Sequence, residues 1–344
     1  MGRLMQCRLG RIGALLLIGW LAACAPRLQP PGEMTTVPVV TPNESAWQAS
    51  DGRMLPLRRW LPADGGAPQA IVLALHGFND YSNAFTEAAE WWAQHNLATY
   101  ALDQRGFGRS QHIGLWPGED RLADDLVELH AVLRQRHPGL PIVWLGESMG
   151  GAVVLHGLMR HPAVRPVGAV LVAPAVWGRT SMPLLYRVAL FVSSYTIPWK
   201  TFTGSGLKIQ ASDNIEMLRR LSRDPLFIKA TRVDAIHGLV NLMDEAALAR
   251  PTGLPLLLLY GVKDEVIPKP PVEDFVEALK ATPGVDMRVA VYGQGWHMLL
   301  RDLQAETVWR DVAAWIGNHR ATLPSGAERG SLPLFSEAEK QERE

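Results

Sequence analysis

Three side chains that together support nucleophilic catalysis follow apolar runs in this sequence. Ser148 stands between two glycines in LGESMGG, Asp264 follows LLLLYGVK, and His297 follows RVAVYGQGW. A serine hydroxyl becomes a good nucleophile when a base removes its proton, and histidine can do this near neutral pH. An aspartate would fix the imidazole tautomer and stabilise the imidazolium. The three residue types therefore predict acyl transfer through a covalent intermediate.

The order and placement of these residues favour function over coincidence. Taken singly, the serine could cap a helix, the aspartate could end a strand in a turn, and the histidine could be packed or exposed. However, each follows a run typical of a buried strand, and ligands bind beyond the carboxyl ends of strands in open α/β sheets. The order Ser, Asp, His is also the one expected when G-x-S-x-G lies on such a sheet. We therefore expect the three to meet at one rim.

Two backbone N–H groups are candidates for binding the negative charge that develops on the substrate oxygen. Met149 directly follows the serine, and Phe78 lies in HGFND, after the strand-like run AIVLAL. Losing one such donor typically costs about 10²–10³ in rate. Gly146 and Gly150 would relieve crowding at the turn. Glu147, which precedes the serine, receives no role from the sequence.

Strand-like and helix-like segments alternate over residues 46–176 and 251–320. Asp51-Gly52, between two extended runs, predicts a hairpin at the start of this region. Repeated strand–helix alternation predicts an α/β fold with a mostly parallel sheet and helices on both faces. Right-handed crossovers are expected between its strands.

Residues 177–250 interrupt that alternation. Their scattered aromatics, prolines and helical stretches predict a helical cap over the carboxyl edge of the sheet. The apolar residues of the cap fit either ordinary packing or a binding surface. A lid that opens at an interface is one hypothesis for this segment.

The first 23 residues are typical of a signal peptide, with arginines before a short apolar run. Leu21-Ala22-Ala23-Cys24 resembles the lipobox of bacterial lipoproteins, which implies that Cys24 is acylated and becomes the first mature residue. An ordinary cleaved signal peptide is the alternative. Because Ala25 rather than aspartate follows Cys24, we expect a lipid-anchored protein of the bacterial cell envelope, on the periplasmic side of the outer membrane.

Two further segments are expected to lie outside the folded core. The proline-rich stretch from 24 to 45 is interpreted as the lipidated cysteine followed by an extended tether, and the charged stretch from 321 to 344 as a flexible tail. Cys7 would leave with the signal peptide, so the mature domain would have no thiol for a disulfide.

Composition excludes several other functions. The chain has 34 basic and 34 acidic residues, so it has no net positive charge that would favour binding to nucleic acid. No cluster has metal-ligand spacing, and no G-x-G-x-x-G opens a helix after a strand. We expect no metal and no cofactor; the sequence predicts no oligomeric state.

Several motifs resemble the monoacylglycerol lipase/lysophospholipase branch of the α/β-hydrolases: LHGFNDYSNAF, DQRGFGRS, GESMGGAVVL, LVAPAV, DPLFIKATRV, LLLYGVKDEVIP and GWHMLL. The resemblance covers Trp47 to Arg320, and GESMGG is especially similar to the plant lysophospholipase-type members. It implies a mostly parallel eight-stranded sheet with a helical cap. The residue roles that it implies are Ser148 as nucleophile, Asp264 as acid, His297 as base, and Phe78 and Met149 as the oxyanion hole.

The resulting hypothesis is a membrane-anchored serine hydrolase that cleaves carboxylic esters of apolar acyl groups, with monoacylglycerols or lysophospholipids as substrates. One alternative is a serine peptidase of aminopeptidase type, which would need an acidic group in the cap to hold an α-ammonium. The candidates for that group are Glu216, Asp224, Asp234, Asp244 and Glu245. The other alternative is a non-catalytic lipoprotein that binds a lipid or a protein partner.

Overall fold

A computed structural model describes residues 25–63, 65–206, 208–330, 333–336 and 339 of the chain. The expected signal peptide and Cys24 therefore lie outside the described residues. Within these ranges, no helix combines the length and apolar character needed to cross a bilayer.

The strands of the described residues form one large sheet and one small ribbon. The large sheet has the order β1-β2-β3-β5-β4-β6-β7-β10-β11, and the ribbon pairs β8 with β9. The strands are β1 (Val39–Val40), β2 (Ala46–Gln48), β3 (Met54–Trp60), β4 (Ala70–Leu75), β5 (Leu97–Leu102), β6 (Ile142–Glu147), β7 (Gly168–Val172), β8 (Thr201–Thr203), β9 (Ala230–Arg232), β10 (Pro255–Gly261) and β11 (Asp286–Tyr292).

The six strands from β5 across to β11 run parallel, and β1, β2 and β3 add an antiparallel edge. Strands β4, β5, β6 and β7 are buried at every position, as expected for parallel strands covered on both faces. The predicted mostly parallel sheet is confirmed. It has nine strands rather than eight because the two residues of β1 pair with β2.

Helices cover both faces of the sheet, as predicted. Successive strand residues point to opposite faces, so Ile71, Leu73 and Leu75 join one core and Val72 and Ala74 the other. The helices are α1 (Thr86–Gln94), α2 (Glu119–Arg136), α3 (Met149–Arg160), α4 (Leu184–Thr196), α5 (Ile215–Arg223), α6 (Val233–Leu248), α7 (Lys269–Lys280) and α8 (Ala305–Gly317). α1 and α8 pack on one face, and α2, α3, α6 and α7 on the other.

The segment from 177 to 250 contains α4, α5 and α6, together with the β8–β9 ribbon. The expectation of helices alone was therefore incomplete. α6 contacts α2 and α3, and α4 lies on α6. Gly238 of α6 lies so close to the Trp116 ring that a Cβ there would be 2.2 Å from it. The cap is thus joined to the core through α6, with α4 as its outer layer.

The expected tether is wrong for most of its described length. Gln29 N–H donates to the Trp116 carbonyl at 2.8 Å, Arg53 donates to the Pro30 carbonyl at 2.6 Å, and Val39–Val40 form an edge strand. Proline has no N–H to donate, but its carbonyl oxygen can accept, as that of Pro30 does from Arg53, and Val40 is buried. This segment is therefore part of the folded domain.

The expected flexible tail is also wrong for its described part. Leu323, Leu334 and Phe335 are buried, and Arg329 N–H donates to the Val289 carbonyl at 2.8 Å. Phe335 packs edge-on against Tyr260 with ring centroids 5.5 Å apart. The apolar residues Leu334 and Phe335 inside a charged stretch are the physical reason, since burying them removes apolar surface from water.

Candidate active site

Ser148 occupies the sharp turn between β6 and α3. Its backbone has φ 53° and ψ −114°, and an L-residue in this sparsely populated region typically costs on the order of 1–3 kcal/mol. Hydrogen bonds from the end of β7 hold it there. Ser148 N–H donates to the Val172 carbonyl at 2.8 Å, and its carbonyl accepts from Ala175 N–H at 3.0 Å.

The glycines around Ser148 permit close approach of three backbone segments. A Cβ on Gly146 would lie 2.3 Å from the carbonyl carbon of Gly150. A Cβ on Gly150 would lie 2.0 Å from the carbonyl oxygen of Leu75, at the end of β4. Backbone atoms cannot move aside as a flexible side chain can, so larger residues at either position would displace the turn.

His297 and Asp264 form a buried pair at the ends of β11 and β10. His297 Nδ1 donates to Asp264 Oδ2 at 2.8 Å, and Asp264 Oδ1 accepts from the N–H groups of Val266 and Ile267 at 2.7 and 3.0 Å. Burial lowers the pKa of His297, but the charge and hydrogen bond of Asp264 outweigh burial and raise this pKa overall. With Nδ1 engaged, Nε2 is the imidazole nitrogen that remains for chemistry.

A cavity of about 410 Å³ brings Ser148 and His297 together beneath the cap. Most of its wall is apolar, and the cap supplies Trp177, Met182, Ile236, Leu239, Val240 and Met243. Such a cavity suits an acyl chain.

The two expected oxyanion donors lie beside Ser148. The Gly77–Phe78 loop approaches so closely that a Cβ on Gly77 would be 3.4 Å from the Ser148 Cβ. Met149 is the first residue of α3, where the helix dipole favours negative charge. Within the described residues, neither the Phe78 nor the Met149 N–H donates a backbone hydrogen bond.

His76 braces the loop that carries Phe78. Its Nε2 accepts from Gln104 N–H at 3.0 Å, so Nδ1 carries the proton and donates to the Gly77 carbonyl at 2.8 Å. Burial lowers the pKa of His76, and both ring nitrogens are occupied. This histidine is therefore structural.

Two further charged residues, Asp80 and Arg301, line the cavity with Glu147. Arg301 lies 2.8 Å from Asp80 and 3.0 Å from Glu147 between guanidinium nitrogen and carboxylate oxygen, and all three residues are buried. Sequence reasoning missed Asp80 and Arg301. The sequence feature that could have indicated them is their closeness to predicted site residues, since Asp80 lies two residues after Phe78 and Arg301 four after His297.

None of the acidic cap residues considered for an α-ammonium site is among the described residues that line the cavity. Asp234 pairs with Arg232, Asp244 pairs with Arg179, and Asp224 accepts from the Tyr81 hydroxyl. Nor do the described ranges contain a group of three or more His, Cys, Asp or Glu side chains able to hold a metal ion.

The chain is similar to several known proteins. Residues 66–304 match the family described as serine aminopeptidase, S33. The chain is 26% identical to a monoacylglycerol lipase of Mycolicibacterium smegmatis, over 81% of this chain and 98% of that protein. It is 25% identical to the human monoglyceride lipase, over 79% of this chain and 90% of that one.

Solved structures share the fold at lower identity. A soluble variant of the Saccharomyces cerevisiae monoglyceride lipase aligns with a TM-score of 0.66 at 18% identity, covering 86% of this chain and all of that one. The monoacylglycerol lipase of Paleococcus ferrophilus gives a TM-score of 0.61 at 20% identity, covering 77% of this chain and 99% of that one.

Proposed function

The chain belongs to the serine aminopeptidase S33 family and is a serine hydrolase of carboxylic esters; from this we propose that it cleaves monoacylglycerols or lysophospholipids at a membrane surface. The observation that carries the proposal is the mostly apolar cavity that both Ser148 and His297 line. The hydrogen-bonded Asp264 supports His297 as the base.

In the proposed reaction, His297 Nε2 takes the proton of the Ser148 hydroxyl as its oxygen attacks the ester carbonyl. The resulting oxyanion accepts hydrogen bonds from the Phe78 and Met149 N–H groups. The tetrahedral intermediate collapses, the carbon–oxygen bond to the alcohol breaks, and His297 protonates the departing alcohol. Water, deprotonated by His297, then attacks the acyl-serine carbonyl. The bond between the acyl carbon and Ser148 Oγ breaks, His297 returns its proton to Oγ, and the carboxylic acid leaves.

The cap supports a substrate that resides in a membrane. Ten large apolar residues between 184 and 202 are exposed: Leu184, Leu185, Tyr186, Val188, Phe191, Val192, Tyr195, Ile197, Trp199 and Phe202. We call this set the cap face. An exposed apolar patch of this kind marks an interaction site. Residues 177–212 contain four basic and no acidic side chains, which favours an anionic lipid surface.

Acylation of Cys24 in the bacterial cell envelope is the second part of this proposal. A cysteine that carries several acyl chains is anchored far more stably than one with a single chain, so it would hold the enzyme at the membrane without help from the cap face.

The aminopeptidase alternative has weaker support. The carboxylates that line the cavity, Asp80 and Glu147, both form ion pairs with Arg301, and none of the acidic cap residues considered for this role lines the cavity. Long-chain monoacylglycerols and lysophospholipids should be hydrolysed faster than aminoacyl amides in a direct comparison. The reverse preference would favour the peptidase.

The direct test of the serine mechanism is a fluorophosphonate probe, which bonds covalently to an activated serine. We expect the wild-type enzyme to be labelled, and Ser148→Ala to be neither labelled nor active on an acyl-ester panel. Ser181→Ala, in the cap, is the matched control and should be labelled normally. Labelling that persists in Ser148→Ala would refute this role, and a wild-type protein that hydrolyses no ester would favour the non-catalytic alternative.

A further inference from the structure

Arg301 joins two buried carboxylates that come from different parts of the chain. One guanidinium nitrogen lies 2.8 Å from Asp80 Oδ2, and the other donates to Glu147 Oε2 at 3.0 Å. The residues concerned are 2–8% exposed. Removing charges from water is expensive, so a buried cluster of this kind is weak evidence for stability and calls for another explanation.

The hydrogen bonding of the cluster is incomplete, which strengthens that argument. Glu147 Oε1 and Arg301 Nε are buried and have no hydrogen-bond partner within the described residues. A second buried arginine, Arg105, provides the contrast, because it makes four hydrogen bonds to Asp51 and Asp125. The hydrogen-bonding groups of the Arg105 guanidinium all have partners, as expected for an ion pair that only stabilises the fold, whereas those of the Arg301 cluster do not.

Each member of the cluster lies within four residues, along the sequence, of a group that the proposed reaction uses. Asp80 lies two residues after Phe78, in the loop after β4. Glu147 ends β6 and directly precedes Ser148. Arg301 lies four residues after His297, in the loop after β11. The cluster therefore connects the oxyanion loop, the nucleophile turn and the histidine loop in the wall of one cavity.

We propose that Arg301 is a positioning residue that fixes the relative positions of these three loops. It does so through its ion pairs with Glu147 on the nucleophile turn and Asp80 on the oxyanion loop. The inference rests on the proposed serine hydrolase function and deepens it. Arginine suits this role because its planar fork presents several donors in fixed directions. Lysine is a single point charge on a flexible stem, so it cannot orient two carboxylates at once.

The test uses conservative variants of the full chain. Arg301→Lys keeps the charge but loses the fork, and Glu147→Gln keeps the shape but loses the ion pair. We expect each to lower kcat on a soluble acyl ester by about tenfold to a hundredfold with little change in KM, because ångström-scale misplacement of reacting groups costs about that much. The fluorophosphonate labelling rate of Ser148 should fall in parallel.

The matched control is Arg105→Lys, which weakens the other buried arginine cluster away from the cavity. It should lower the melting temperature at least as much as Arg301→Lys while leaving kcat within about twofold of wild type. The reason is that an ion pair that only stabilises the fold changes the fraction of folded protein and not the rate of the chemical step. Folded protein is quantified for every variant before rates are compared.

A pH profile separates positioning from loss of structure. The groups that act on His297 are Asp264, Glu147 and Arg301; the carboxylates raise its pKa and Arg301 lowers it. Glu147→Gln should therefore move the acid limb of kcat/KM to lower pH, whereas Arg105→Lys should leave the limb in place.

Wild-type kcat in folded Arg301→Lys would overturn the proposal, as would equal losses of kcat in Arg301→Lys and Arg105→Lys. Failure of the proposed function would look different. A wild-type protein that hydrolyses no ester would refute that function, while the labelling rate of Ser148 would still report on Arg301.

Discussion

At the scale of single residues, the Asp264–His297 pair sets the pH dependence of the proposed reaction. His297 acts as a base only when neutral. Because Asp264 raises the pKa of His297 above the value that burial alone would give, activity should rise as pH increases through this raised pKa. The same sign applies to stability. The Asp264–His297⁺ interaction stabilises the fold fully below the unfolded-state pKa and loses this contribution as pH rises through the folded pKa.

Asp264→Asn tests this pair. The amide cannot stabilise the imidazolium, and it leaves His297 Nδ1 without its acceptor. We expect kcat on a soluble ester to fall by about 10⁴-fold, as the same change does in other Ser-His-Asp enzymes. The acid limb of kcat/KM should also move to lower pH, because the pKa of His297 loses the carboxylate that raises it.

The control for Asp264→Asn is Asp274→Asn, a change of the same chemistry at an exposed position on α7. Rates of both variants are measured between pH 5 and 9 on one substrate, a range of about two units either side of neutral in which histidine titrates. Comparable losses of kcat in the two variants would contradict the role of Asp264.

Sequence patterns indicated where the candidate site residues lie, while their catalytic roles stay predictions. Ser148, Asp264 and His297 each follow an apolar run, and parallel strands place such residues at one edge. The Arg301 cluster was not predicted, because Glu147 and Arg301 are 154 residues apart. Nothing local in the sequence indicates that their charges meet, so Glu147 acquired a partner only from the three-dimensional structure.

At the scale of secondary-structure elements, α4 is unusual because most of its apolar residues face outward. Ser194 is its one fully buried residue. In the proposed docking at a membrane, this exposed apolar helix would contact the lipid, and residues 177–212 carry only basic charge around it. The β8–β9 ribbon beside α4 escaped prediction because each strand has only three residues, too few to show alternation.

The double variant Leu185→Ser/Phe191→Ser tests the cap face. Both side chains are more than 60% exposed, so the domain should remain folded and hydrolyse a short soluble ester normally. Binding of the protein without its first 24 residues to anionic phospholipid vesicles should weaken at least about tenfold, since burying each large apolar side chain contributes about 1.5–3 kcal/mol.

Leu248→Ser is the control for the cap face, because Leu248 is equally exposed but ends α6, outside the set. Vesicle flotation measures binding, with zwitterionic vesicles as the charge comparison. Equal binding by the double variant and the wild type would refute membrane docking, and concentration-dependent dimerisation lost in the double variant would indicate a second copy as the partner.

At the scale of the whole molecule, the first and last segments that the structure describes are packed against the core. Phe335 is fully buried against Tyr260 of β10, and the buried Tyr260 hydroxyl donates to the Ile267 carbonyl at 2.6 Å, close to Asp264. Residues beyond 320 therefore support the strand whose end carries Asp264. The charge-rich composition of residues 321–344 had predicted a flexible tail, because the segment contains few apolar residues that would indicate burial.

Phe335→Ala should lower the free energy of unfolding by about 3–5 kcal/mol, the usual cost of removing a buried phenylalanine side chain. Urea denaturation followed by tryptophan fluorescence measures the loss. Leu303→Ala, at an exposed position, is the control and should change stability by less than about 0.5 kcal/mol. If Phe335→Ala proves as stable as that control, the C-terminal segment does not contribute to the core.

The fixed N-terminal segment limits how an acylated protein could move. Gln29 is hydrogen-bonded to Trp116, which packs against α6 of the cap. Only residues 25–28 would separate a lipid on Cys24 from this fixed point, a reach of about 14 Å when fully extended. A lipidated enzyme would therefore be confined to a thin layer above the bilayer and held by its cap side. Substrate encounter would become a two-dimensional search at high local concentration, in which lateral diffusion rather than release and rebinding delivers each ester.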